Sequence, residues 1–98
     1  MAKAAKRPIP ADQEAAEAIA LQGLAFLAED AGRLSRFLKL TGMELDEVRA
    51  RAGTLELSRA VLEHLAGDES LLLVFTASRG VAPESVGRAV VLLDPSHS

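Results

Sequence analysis

Apolar residues recur at helical spacing along nearly the whole chain, in six segments separated by helix start and stop signals. Asp30 and Asp68 can each cap a helix, and Gly42 and Gly80 supply the left-handed residue that ends one. No segment alternates apolar and polar residues for long enough to indicate a strand. The pattern therefore predicts an all-α fold, a compact bundle of about six short helices.

The six segments predict a single helical domain over residues 10–94. The first helix should begin near Pro10 or Asp12, because proline suits a first turn and aspartate accepts from free N–H groups. Residues 1–9 are expected to form a flexible basic tail, and residues 95–98 a C-terminal tail. A chain of 98 residues has room for one core of this kind and not for a second.

A shift of 38 residues, without a gap, places the first half of the helical segment on the second half. The identical pairs include Leu27 with Leu65, Asp30 with Asp68, Phe37 with Phe75, Gly42 with Gly80 and Val48 with Val86. These are cap, turn and core positions, where a fold constrains residue choice most. The shift predicts two pseudo-repeated three-helix units, with chance matching in a chain rich in Leu and Ala as the alternative.

The C-terminal half carries more apolar side chains than one helix face can hold. At about 100° per residue, the run Leu71–Phe75 points in every direction around its helix, and Val90–Leu93 repeats the problem. Either the long first helix covers this half, or a second molecule does, most simply an identical subunit. The candidate interaction surface consists of Leu71, Leu73, Val74, Val91 and Leu92.

The charge of the chain indicates which classes of partner it could bind. The net charge is −3, and outside the first nine residues 8 basic residues stand against 14 acidic ones, which disfavours nucleic acid. Arg33, Arg36 and Lys39 lie at helical spacing and form a candidate basic face for an acidic partner. The alternative is a solvated face whose charges pair with local carboxylates.

The segment FLKLTGMELDEVRARA resembles a helix-turn-helix, with its turn at Gly42 and an apolar residue, Val48, six positions later. The second helix of that motif normally offers polar or basic groups to DNA. Here it would begin with the acidic residues Glu44, Asp46 and Glu47. The sequence therefore keeps a nucleic-acid-binding regulator only as an alternative.

The sequence gives little indication of a catalytic site or a metal site. The chain contains no Cys, which excludes disulfides and thiolate ligands, and no nucleophile elbow, phosphate loop or dinucleotide fingerprint is present. His64 and Asp68 lie four apart, but Gly67 separates them and no third ligand is evident. We therefore expect no enzyme and no cofactor, with a ligand bound between helices as the remaining small-molecule alternative.

The longest apolar run, Leu71–Phe75, is far shorter than the ~20 residues of a membrane span. The first ten residues are basic and lack the apolar stretch of a secretory signal. The sequence therefore predicts a cytoplasmic protein without a membrane partner.

The strings ALQGLAFLAED, RFLKLTGMELDEVRARA and DESLLLVF resemble a family of short alphaproteobacterial proteins, domain of unknown function family 3572, over residues 18–91. The resemblance implies a helical fold and a bacterial cytosolic setting, and transfers no activity, cofactor or functional residue. The leading hypothesis is a non-enzymatic module for protein–protein interaction or self-association, with an unknown protein or a second copy as its partner.

Overall fold

A computed structural model describes residues 10–95, and within them every regular element is a helix. The helices are α1 (Gln13–Ala28), α2 (Ala31–Thr41), α3 (Leu45–Arg51), α4 (Leu55–Ala66), α5 (Glu69–Arg79) and α6 (Pro83–Leu93). The all-α prediction with six helices is confirmed. The predicted basic tail, residues 1–9, lies outside the described residues, as does most of the predicted C-terminal tail.

Local capping explains where the helices begin and end. The side chains of Asp30 and Asp68 accept hydrogen bonds from the backbone N–H groups three residues on, at 3.0 and 3.1 Å. Gly42 and Gly80 end α2 and α5 with φ of 73° and 66°, the left-handed region that favours glycine. These contacts are local, so the sequence alone was sufficient to predict them.

Helix α1 is the centre of the bundle and packs against α2, α4, α5 and α6. Helix α1 lies close to α4 at Gly23, where a Cβ would lie 2.8 Å from Leu65 and 2.9 Å from Val61. The core is aliphatic, with three fully buried rings from Phe26, Phe37 and Phe75. The all-round apolar pattern of α1 thus reflects contacts on several sides.

The helix bounds follow the 38-residue offset. Helices α2 and α5 each have 11 residues and differ by that offset at both ends, and α3 and α6 begin one offset apart. The units differ at their third helix, because α3 has 7 residues and α6 has 11. The bounds agree with the register of the predicted repeat, and the pseudo-repeat of two three-helix units stays a prediction.

Candidate functional site

Helix α5 lies against the bundle with one side only. Its neighbours are α4, α1 and α6, and Phe75 and Thr76 are its buried residues. The Thr76 hydroxyl donates to the Leu73 carbonyl oxygen at 3.1 Å, so this polar group is satisfied within the helix. The opposite side of the helix is turned to solvent.

The solvent side of α5 is uncharged, and its large side chains are apolar. Leu73 and Val74 are 50% and 48% exposed, although both are large aliphatic side chains. Spacings of three and four residues place them on one face with three small exposed neighbours. We call this set the α5 outer face: Ser70, Leu73, Val74, Ala77 and Ser78. Charged groups of the helix occur only at its ends, as Glu69 in the first turn and Arg79 in the last.

The residues of the predicted interaction surface do not lie on one surface in the structure. Leu71 and Leu92 are partly buried and pack against the core. Val91 is 44% exposed, but it lies on α6 and shares its face with the exposed Arg88. Of the predicted set, only Leu73 and Val74 therefore form part of an uncharged helix face.

One alternative from the sequence was that α1 covers the apolar C-terminal half of the chain. In the structure, α1 does not cover every apolar residue of that half. Leu73, Val74 and Val91 remain exposed although α1 contacts both α5 and α6. The reason is geometric, since α1 reaches only the inward side of each peripheral helix. An apolar run that surrounds a peripheral helix must leave some side chains outside.

The predicted basic face is not a single surface. The Arg33 guanidinium carbon lies 4.1 Å from the centre of the Phe26 ring, and the same side chain donates to the Phe26 carbonyl oxygen at 3.4 Å. Arg36 and Lys39 are exposed. Arg33 thus helps to join α2 to α1, and only two of the three predicted cations are freely presented to solvent.

A shallow cavity of about 440 Å³ lies beside His64, at the junction of α2, α4 and the start of α5. It has charged groups of both signs in its lining: Arg36, Glu63, Asp68 and Glu69. The His64 Nε2 atom is buried and makes no hydrogen bond. Burial lowers the pKa of His64, while the Asp68 carboxylate opposes that shift and Arg36 adds to it.

The cavity does not define a metal centre. Among residues 10–95, no three His, Asp or Glu side chains are placed to hold a metal ion. The imidazole packs edge-to-face on Phe37, and His64 is partly buried. The polar lining leaves the small-ligand alternative from the sequence open.

A second cavity, of about 360 Å³, was not predicted from the sequence. It lies between α1, α2 and α3 and is mostly apolar, with Leu24, Leu34 and Leu45 in its wall and Arg49 as its one charged lining residue. Leu45 has the apolar spacing of a core position, but it is 39% exposed. The short α3 leaves this groove open, and helix length was the sequence signal that could have indicated it.

Helices α2 and α3 adopt the helix–turn–helix order predicted around Gly42. Helix α3 has only 7 residues, and Asp46 and Glu47 lie exposed in its first turn. The Glu47 carboxylate accepts from the Glu44 backbone N–H at 3.0 Å, which assigns it to capping. The exposed start of α3 is therefore acidic in the structure as well as in the sequence.

These features define the class, an all-α protein with six helices in residues 10–95 and an uncharged helix face that exposes two aliphatic side chains. The chain belongs to the family described as protein of unknown function (DUF3572), whose model matches residues 13–96. No curated protein and no solved structure matches the chain. Within residues 10–95, none of the helices is both long and apolar enough to traverse a bilayer.

Proposed function

We propose that this protein is a non-enzymatic interaction module that binds another protein chain through the α5 outer face. The observation that carries the proposal is the half-exposure of Leu73 and Val74 on a helix face without charge. Soluble proteins have scattered apolar residues on their surfaces, but adjacent aliphatic residues on a charge-free face are typical of contact sites. The bacterial and cytoplasmic setting implied by the family resemblance belongs to the same proposal.

The free energy gained by burying Leu73 and Val74 is too small for these two residues alone to hold a partner. Full burial of a Leu or Val side chain contributes roughly 1.5–3 kcal/mol, so the half still exposed on each contributes about 1 kcal/mol. Association costs at least about 4 kcal/mol in lost freedom of motion. Leu73 and Val74 would therefore serve as the anchor of a larger contact that includes neighbouring residues.

The test compares two charged double variants, each at two exposed positions. Leu73→Glu with Val74→Glu alters the α5 outer face, while Leu21→Glu with Leu40→Glu alters exposed leucines on α1 and α2, which are 51% and 63% exposed. Each tagged variant is cross-linked in extract of the native host that also contains the untagged chain, and captured proteins are identified by mass spectrometry.

The proposal expects at least one captured chain, foreign or identical, to be lost with the α5 variant and retained with the control variant. Identical sets of captured chains for both variants would overturn it. Circular dichroism of both variants should match that of the unmodified protein, because all four positions are exposed.

The nucleic-acid alternative rests on the order α2, turn, α3 and on the basic residues of the first nine positions. It predicts DNA binding that weakens steeply with salt. Fluorescence anisotropy with a labelled duplex at low salt tests it, and no binding there would remove it. The acidic first turn of α3 favours that negative result.

A further inference from the structure

We infer that the cavity between α1, α2 and α3 binds a free medium-chain carboxylic acid, with its alkyl chain in the cavity and its carboxylate on Arg49. We call this cavity the α3 groove. Its volume is about 360 Å³, and its wall consists of Leu24, Leu34, Leu45, Val48, Arg49 and two alanines. The groove shares no residue with the α5 outer face, so this inference goes beyond the proposed function and does not depend on it.

The groove is built from one face of α3, the end of α1 and the start of α2. Leu45, Val48, Arg49 and Ala52 follow one another at helical spacing, so they share one face of α3. The helix with which α3 packs most closely is α4, which leaves a gap between α3 and the other two helices. Walls from three helices make this gap concave, as in sites for small ligands, whereas most protein contacts are flatter.

The corresponding residues in the second half of the chain are buried. Under the 38-residue offset, Leu24 corresponds to Leu62 and Val48 corresponds to Val86. Helix α6 packs closely on α4, and Leu62 and Val86 are both fully buried. Leu24 is only partly buried. The groove is therefore a local difference between the two halves and does not follow from the order of the helices alone.

Arg49 is the one charged residue of the groove wall, and it has no partner in the part of the chain that the structure describes. Its neighbour Arg51 pairs with Glu56 at 3.1 Å, whereas Arg49 is exposed and makes no ion pair or side-chain hydrogen bond within residues 10–95. No Asp or Glu lines the groove. The charge therefore favours a ligand with one negative group, and a carboxylate matches the paired N–H groups of a guanidinium.

The rest of the wall selects an aliphatic ligand of moderate size. No aromatic ring lines the groove, so nothing there would stack on a planar ligand, while Leu and Val side chains can cover an alkyl chain. The volume is near the lower end of the range of about 300–1,000 Å³ found for ligand sites, which favours a medium chain. Because the groove is open on one side, we expect a Kd on the order of 10⁻⁴ M.

Three probes with the same alkyl chain separate the effect of charge from that of the chain: octanoate, octanol and octylammonium. Each is titrated at neutral pH into the isotope-labelled protein while amide spectra are recorded by NMR. Octanoate should shift the signals of Leu24, Leu34 and Val48 most and bind about three- to fivefold more tightly than octanol, the range of an exposed charge pair. Octylammonium should bind most weakly. Equal Kd values for octanoate and octanol, or largest shifts on α5 or α6, would overturn the inference.

Two pairs of matched variants test the residues. Arg49→Gln should reduce the affinity for octanoate to that for octanol, while Arg88→Gln, at an exposed and unpaired arginine on α6, should keep the preference. Leu45→Gln should weaken octanoate and octanol alike, by at least about threefold. Leu55→Gln is its control, because Leu45 and Leu55 are both 39% exposed and each begins a helix.

The folding of the variants can be checked separately. All four substituted side chains are exposed, so circular dichroism of each variant should match that of the unmodified protein. Equal octanoate affinities for Arg49→Gln and Arg88→Gln would show that Arg49 does not hold the carboxylate. Equal affinities for Leu45→Gln and Leu55→Gln would show that the alkyl chain does not lie in the groove. Either result would overturn the inference.

Discussion

The imidazole of His64 packs edge-to-face on the ring of Phe37, with ring centres 5.1 Å apart and planes at 76°. Phe26 and Phe75 make the same kind of contact at 5.3 Å and 62°. Under the 38-residue offset, Phe26 corresponds to His64 and Phe37 corresponds to Phe75. Each contact is therefore the counterpart of the other with its partners exchanged between the units, as an internal two-fold relation would produce.

The ring contacts lead to a stability prediction. Phe37→Ala and Phe75→Ala should each lower the free energy of unfolding by about 3–5 kcal/mol, because both rings are fully buried and a cavity would remain. Urea denaturation followed by circular dichroism measures the loss. Leu40→Ala, at an exposed position, should change it by less than about 0.5 kcal/mol. A loss near that of Leu40→Ala at either phenylalanine would contradict equivalent core roles.

The buried imidazole predicts a dependence of stability on pH. Because burial lowers the pKa of His64 below its ordinary value of 6.5, the unfolded chain takes up a proton before the folded chain does. The contribution of the neutral, buried His64 to the free energy of unfolding is complete above pH 6.5 and is lost as pH falls below that value.

The corresponding measurement compares the unmodified protein with His64→Phe at pH 7.5 and pH 5.5. The variant keeps a ring against Phe37 and removes the buried Nε2 atom that lacks a hydrogen bond. Its free energy of unfolding should fall less between the two pH values than that of the unmodified protein. Equal losses would show that His64 does not titrate differently in the folded state.

Two helix glycines should respond oppositely to alanine. Gly87 has open space around its missing Cβ, so Gly87→Ala should stabilise the protein by about 0.5–1 kcal/mol through helix propensity alone. At Gly23 a new Cβ would press on Leu65 and Val61, and this overpacking costs about 1–3 kcal/mol. Thermal and urea unfolding should show Gly23→Ala less stable than Gly87→Ala. A similar gain at both sites would mean that α1 and α4 can move apart freely.

The helix boundaries could be predicted from the sequence because they depend on neighbours along the chain. Asp30 and Asp68 bond to N–H groups three residues away, and Gly42 and Gly80 act through their own φ. Such signals need no knowledge of tertiary packing.

The candidate site could be predicted only in part. Five successive apolar residues, Leu71–Phe75, give α5 no preferred inward side, so only its packing against α1, α4 and α6 decides that Leu73 and Val74 face solvent. The same limit applies to Arg33, whose spacing indicates a solvated face. Its contact with Phe26 depends on how α2 crosses α1, which periodicity does not reveal.

The central claim is that the α5 outer face binds another protein chain, and capture with the two charged double variants tests it most directly. We predict that at least one protein cross-linked to the unmodified chain and to Leu21→Glu with Leu40→Glu is lost with Leu73→Glu with Val74→Glu. The same set of captured proteins with all three chains would contradict the claim.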